Sequence, residues 1–181
     1  MGDGDLGLTM SKGYGALPAL LRETMQSDDV GKTLMKAGMK LSSVVPSTMG
    51  TLMASGIMAG GKALKGAKEI DAAGFSAYLT GFASGIRNRG KCKRGDRTIL
   101  DAVGAAAEKA AAFLAAHPSA TLPELIDAAV LGAREGVEAT RGMTPKFGKA
   151  AVFSAKAIGT PDQGAVAGLY LLIGMQNYID R

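Results

Sequence analysis

Apolar residues recur along this chain in blocks with helical spacing, separated by short stretches of glycine, proline and polar residues. The first block, Met10 to about Gln26, places Leu17, Leu20, Leu21 and Met25 on one side, with Pro18 bending the helix or delaying its start. Ser27-Asp28-Asp29 offers an N-cap and first-turn acids for a helix from Val30 to Val44, whose Leu34, Met35, Met39 and Leu41 suit a core face. Val45 to Thr51 breaks that helix and begins another, which runs to about Leu64. After a polar connector from Lys65 to Glu69, Asp71 opens a helix through Phe75, Tyr78, Leu79, Phe82 and Ile86. Asp96 is placed to cap a long alanine-rich helix ending near Ala116, where His117-Pro118 stops it. Thr121 and Glu124 form a capping box for a helix to about Thr140. Arg141 to Phe147 is then a loop containing Pro145, Gly148 to Ala157 a short helix, and Asp162 the N-cap of a last helix from about Gly164 to Ile179. The pattern predicts an all-α chain of about seven helices joined by short glycine-rich loops.

Composition agrees. The 181 residues suit one domain spanning 1–181, with 47% hydrophobic residues, 5% aromatic, 26 Gly, 10 Met and no Trp. No run reaches the roughly 18 to 20 uninterrupted apolar residues that span a bilayer, since Val45 to Ala63 is interrupted by Ser and Thr; a membrane partner is not expected. The single Cys92 excludes an internal disulfide, and a reducing cytoplasm is the expected home. The net charge of +5 concentrates in the octad Arg87 to Arg94, which lacks interleaved aromatics. It reads as a solvated loop, or one facing a nucleotide or an acidic partner, rather than a nucleic-acid surface. His117 is the only histidine and sits at a helix end, which argues against a histidine triad or a multi-histidine zinc site.

Two stretches offer other chemistry. In Met1-Gly2-Asp3-Gly4-Asp5-Leu6-Gly7-Leu8-Thr9-Met10, two carboxylates at i and i+2 in a glycine-rich segment suit one hard cation, although the same pattern also makes a plain surface turn. Ser47-Thr48-Met49-Gly50 puts small hydroxyl residues at a helix start, either as an anion seat or as ordinary capping. Phosphoryl transfer asks mainly for positioning and charge neutralisation, and needs no histidine.

Four separated stretches together carry a resemblance: Gly2 to Met10, Gly95-Asp-Arg-Thr-Ile-Leu-Asp101, Lys146-Phe-Gly-Lys-Ala150 and Ile158-Gly-Thr-Pro-Asp-Gln-Gly-Ala165. In this order they resemble the nucleotide-binding L subunit of dihydroxyacetone kinase, over essentially the whole chain. The resemblance implies an antiparallel barrel of amphipathic helices, eight in the family, with magnesium and ADP or ATP bound in loops at one end. It implies a substrate-binding K subunit as partner, which holds the ketose, and in one form of the family a phosphohistidine protein of the phosphotransferase system as donor. By motif, Asp3 and Asp5 would be metal ligands, and Leu6, Gly7, Leu8 and Thr9 would wrap the phosphates. Thr48 and Met49 would lie against the nucleotide, Gly90 and Ile99 would line its pocket, and Asp162, Gln163 and Gly164 would stand beside it. Lys149, where the family usually has arginine, would supply charge stabilisation and so the catalytic role.

Departures from the family are equally visible. The family's first helix and a third metal-binding aspartate precede the Asp-Gly segment, and here Met1 stands immediately before it. Pro46 and Met49 occupy a phosphate loop that in the family is rich in glycine and serine, and lysine lacks arginine's bidentate fork. These features motivate one alternative, a non-catalytic or regulatory nucleotide-binding module; the Asp-Gly-Asp segment motivates another, the nucleotide domain of a fatty acid kinase, which has a similar segment and would carry a long further C-terminal region. A missing helix would also expose an apolar groove that a homodimer would fill.

Overall fold

The computed structural model of the chain describes residues 5–25, 28–147 and 158–180, and for Asp5 the backbone alone. Among these residues there are seven α-helices, one 3-10 turn and no strand. The helices are α1 (Asp5–Thr24), α2 (Val30–Val44), α3 (Thr48–Ala63), α4 (Ala72–Gly90), α5 (Ile99–Ala116), α6 (Leu122–Ala139) and α7 (Gln163–Ile179), with the 3-10 turn at Thr140–Gly142. The expected all-α class is observed. The expected short helix at 148–157 falls outside the described residues. The helices pack as two compact units, one formed by α1 to α4 and the other from Cys92 onward.

Local sequence chemistry sets most of the boundaries. Asp29, Ser47, Asp71 and Asp162 each accept a hydrogen bond from a first-turn N–H of the helix that follows. Thr121 and Glu124 form the expected reciprocal box. Three expectations are corrected. Helix α1 begins at Asp5 rather than Met10, so Leu6 to Thr9 are helical and not a wrapping loop. Thr9, Met10, Gly13 and Tyr14 pack near Leu41, Val45, Gly50 and Met53, and this burial outweighs the poor helix propensity of the glycines. Pro18 sits within the helix without delaying its start. Helix α4 continues to Gly90 and ends on Lys91 in the left-handed region (φ 49°), so the first half of the basic octad is a helical last turn, where cations favour the helix dipole.

The third correction concerns α5. Its N-cap is Thr98, with Asp101 completing a capping box, while Asp96 is engaged elsewhere. Asp96 accepts from the Lys93 amide at 2.9 Å and from Lys146 Nζ at 2.7 Å, so a tertiary partner has taken the carboxylate that sequence assigned to the helix.

The core is built from close helix–helix approach. In α2 the buried residues are Gly31, Ala37, Gly38 and Leu41, while Leu34 and Met35 are half-buried and Met39 is 59% exposed, against expectation. The small residues win that face because a Cβ at Gly38 would stand 2.8 Å from the Met58 side chain and 3.1 Å from the Ala54 carbonyl. Between α3 and α4, Gly56 receives the Phe82 ring and Gly60 the Tyr78 ring, and Gly85 lies against the Ser55 carbonyl. Between α5 and α6, Gly132 and Gly136 meet the backbone of Ala105 and Asp101.

These contacts yield a paired test. Gly136→Ala drives a methyl into the Asp101 backbone and should destabilise by about 1–3 kcal/mol. Gly174→Ala, in the exposed interior of α7 with nothing within 4 Å of its Cβ position, should stabilise by about 0.5–1 kcal/mol. Urea unfolding of the two variants checks both signs; equal effects would refute the packing account.

Candidate functional site

The two units each bring part of the sequence-predicted site to one of their ends. In the α1 to α4 unit, α3 and α4 run antiparallel through the pairs Gly60–Tyr78, Gly56–Phe82 and Ser55–Gly85. That register carries Gly90, at the end of α4, towards Thr48 and Met49, at the start of α3. Thr9 of α1 lines the same small cavity as Gly50. The capping hydroxyl of Ser47 takes the Gly50 amide at 3.0 Å, and Thr51 Oγ1 donates to the Ser47 carbonyl at 2.9 Å. Helix geometry gives the amides of Thr48 and Met49 no acceptor within their own helix. Thr48 is exposed and Met49 half-buried.

In the unit from Cys92 onward, the start of α5, the end of α6 and the start of α7 converge. Ile99 and Gly164 are brought together: a Cβ at Gly164 would stand 3.1 Å from the Ile99 amide nitrogen and 2.9 Å from Asp162 Oδ2. Gly168 packs on Ile99 and Val103 one turn further along. The Asp162 amide donates to Thr140 Oγ1 at 2.9 Å, and its carboxylate accepts from the Ala165 amide at 2.8 Å. Asp162 and Gly164 are half-buried and Gln163 is exposed.

A buried polar group missed by sequence reasoning underlies this end. Asp101, 1% exposed, accepts from the Gly95 amide at 2.5 Å and the Thr98 amide at 2.7 Å. Arg97, 5% exposed, donates to the Met143 carbonyl at 3.1 Å and the Thr160 carbonyl at 2.9 Å. Thr140 is fully buried and donates to the Val137 carbonyl at 2.6 Å. The pattern Thr98-x-x-Asp101 was a readable capping signal; the burial of Arg97 had no local signal.

The electrostatics separate two aspartates. Burial raises the Asp162 carboxyl above the ordinary value, with Asp101 adding to the rise, while the Ala165 amide and Arg97 oppose it. The Lys146 ammonium holds Asp96 below the ordinary range, with the Lys93 amide acting in the same direction. Cys92 is buried, which pushes its thiol up and makes it a poor nucleophile.

Asp3, the Asp5 side chain and Lys149 are outside the described residues. Among the described residues no three His, Cys, Asp or Glu side chains form a group able to hold a metal ion. His117 is exposed, as expected, with Nδ1 3.1 Å from the Phe113 carbonyl and its ring stacked on Phe113. It lines a groove between α5 and α6 that contains none of the predicted site residues. No helix among the described residues is long and apolar enough to cross a membrane.

An all-helical chain with its candidate residues at helix ends defines the class, and the sequence comparisons give it a family: the DAK2 domain profile matches residues 1–177, so the chain belongs to the DAK2 domain family. It is 31% identical over 166 residues to the triokinase/FMN cyclase of Rattus norvegicus, covering 92% of this chain and 28% of that protein. The chain thus spans under a third of the triokinases that it matches. It is 29% identical over 174 residues to the ADP-binding subunit DhaL of PEP-dependent dihydroxyacetone kinase 2 of Listeria innocua, covering 95% of this chain and 79% of that subunit. The fold is also that of part of the dihydroxyacetone kinase of C. freundii, with a TM-score of 0.68 in the native form and 0.66 in the complex with AMP-PNP and magnesium. Those matches cover 98% of this chain and 29% of the kinase, at 22% and 24% identity.

The two aspartates predict opposite pH behaviour. Asp96, with a depressed folded pKa, contributes stability that is present above its unfolded value near ~3.9 and lost as pH falls through the folded value. Asp162, with a raised folded pKa, contributes most below ~3.9 and loses that contribution as pH rises through its folded value. Asp162→Asn retains a helix cap without the buried charge, so it should equal or exceed the parent in stability at pH 7. That advantage should shrink as pH falls towards 4. Thermal melts across this range check it, and a variant markedly weaker than the parent at pH 7 would refute the electrostatic assignment.

Proposed function

We propose that this chain is the nucleotide-holding component of a two-part kinase for dihydroxyacetone or a related small ketose such as erythrulose. The observation that carries this reading is the similarity to an ADP-binding kinase subunit over 95% of this chain and 79% of that subunit. The chain would bind ADP or ATP with magnesium and pass phosphate to substrate held on a separate K subunit. Where ADP remains bound, a phosphohistidine protein would recharge it.

The local geometry supports anion binding. The start of α3 leaves the amides of Thr48 and Met49 without a helical acceptor, and Leu6 to Thr9 lie in the first described turns of α1. The helical start of α1 therefore replaces the wrapping loop as the way in which Leu6 to Thr9 would meet phosphate. The Thr9 and Thr48 hydroxyls would add hydrogen bonds, and Lys149 would neutralise charge on the transferring group. At α7 the Asp162 carboxylate is committed to capping, so the Gln163 backbone would meet the nucleotide, with Gly164 beside it against Ile99. Gly90 would line the pocket from the end of α4.

Asp3 and Asp5 are the residues that would hold magnesium. Two carboxylates flanked by glycine are oxygen donors of the kind that magnesium takes, with water completing the shell. Bound there, magnesium would neutralise phosphate charge.

Calorimetric titration of ADP, with magnesium and with EDTA, tests the proposal. Magnesium-dependent binding is expected, and Asp5→Asn should abolish it while circular dichroism shows unchanged helical content. Unchanged ADP affinity in that variant would sink the metal assignment.

A further inference from the structure

We infer that Arg97 is a positioning residue for the proposed nucleotide-contacting turn Asp162–Gly164, acting as a buried clamp that ties the start of α5 to the segment leading into α7. The inference rests on the reading of that turn given above, but its geometry stands independently. Arg97 donates through one guanidinium nitrogen to the Met143 carbonyl and through the other to the Thr160 carbonyl, with Thr160 Oγ1 at 3.3 Å. One planar fork thus holds two backbone segments 46 and 63 residues away in sequence.

The turn that presents Arg97 is itself built for the purpose. Its backbone is left-handed, with φ 60°, a conformation that a non-glycine residue adopts only when its surroundings enforce it. Asp101 enforces it, accepting the amides of Gly95 on one side and Thr98 on the other. Asp96 adds a second restraint through Lys93 and Lys146. The clamped segment has further ties that depend on its staying in register. The Gly159 amide donates to the Arg141 carbonyl, Arg141 donates back to the Gly159 carbonyl, and the Asp162 amide donates to Thr140 Oγ1. Arg141 is exposed and ends on a 3-10 turn, so its pair with Gly159 is open to water; the buried fork of Arg97 is the dry member of the set. Release of the fork would remove the dry tie of this segment and leave the cap of α7 and the Thr140 hydroxyl among its described hydrogen bonds.

Lysine keeps the charge and loses the fork, so Arg97→Lys separates a clamp from a simple counter-charge. Native-state hydrogen exchange, recorded without ligand, should show the Gly159 and Asp162 amides losing protection by about tenfold or more, while the amides of Ala129 and Val130 in the core of α6 are unchanged. Affinity for ADP with magnesium should fall by about tenfold to a hundredfold, as small misplacements of positioned groups do. If Arg97→Lys does not fold, Thr140→Val, which removes the acceptor for the Asp162 amide together with the donor to the Val137 carbonyl, should reproduce the loss at Asp162. Unchanged exchange at both amides overturns the clamp. Increased exchange with unchanged ADP affinity overturns its link to nucleotide. Absence of ADP binding by the parent chain overturns the reading of the turn itself, and is told apart because the exchange measurement needs no nucleotide.

Discussion

The close approach of helix backbones at glycine is the constraint on which the rest of this structure depends. Where a Cβ would meet a carbonyl or an aromatic ring, as at Gly56, Gly60, Gly85 and Gly136, the two helices are nearer than side-chain packing normally allows. Such seams have one register, because sliding a helix by a residue puts a methyl into a backbone. The cost is helix propensity, about 0.8–1 kcal/mol for each glycine relative to alanine. The compensation is dispersion contact along the whole seam, in a chain with few aromatic residues to fill wider gaps.

Fixed registers fix helix ends, and the candidate chemistry is at the ends. The α3–α4 seam sets Gly90 and Thr48 at one end of their unit, and the Gly136 contact sets the start of α5 against the close of α6. Asp101 joins the two levels: its backbone is the surface that Gly136 packs on, and its carboxylate shapes the turn carrying Arg97. A single buried residue therefore couples helix packing to loop geometry. Its negative charge is also felt by Asp162, where Arg97 acts in the opposite direction.

What was legible in the sequence was what local chemistry decides. Asp29, Ser47, Asp71, Thr121 and Asp162 cap their helices because each needs only an amide three residues on. The Asp96 assignment failed because Lys146, 50 residues away, offers a stronger partner than a helix amide. Met39 was placed in the core by periodicity, yet a face of glycine and alanine packs closer than a face of methionine and displaces it. Arg97 was hidden among exposed basic residues, since charge patterning carries no information on which member of a run is buried. The four separated motifs made the family readable, and the profile match over residues 1–177 bears that out.

The same division explains why phosphate chemistry fits this fold without histidine. Helix starts supply amides at no cost in side chains, and a domain built from glycine-seamed helices collects several starts within each unit. Capping consumes some of those amides: Ser47 takes that of Gly50, and Asp162 that of Ala165. The amides left over are those of Thr48 and Met49 in α3 and Gln163 in α7. They coincide with the positions that the sequence motifs assign to the nucleotide, so the substitution of methionine at position 49 changes a side chain while leaving its backbone donor in place.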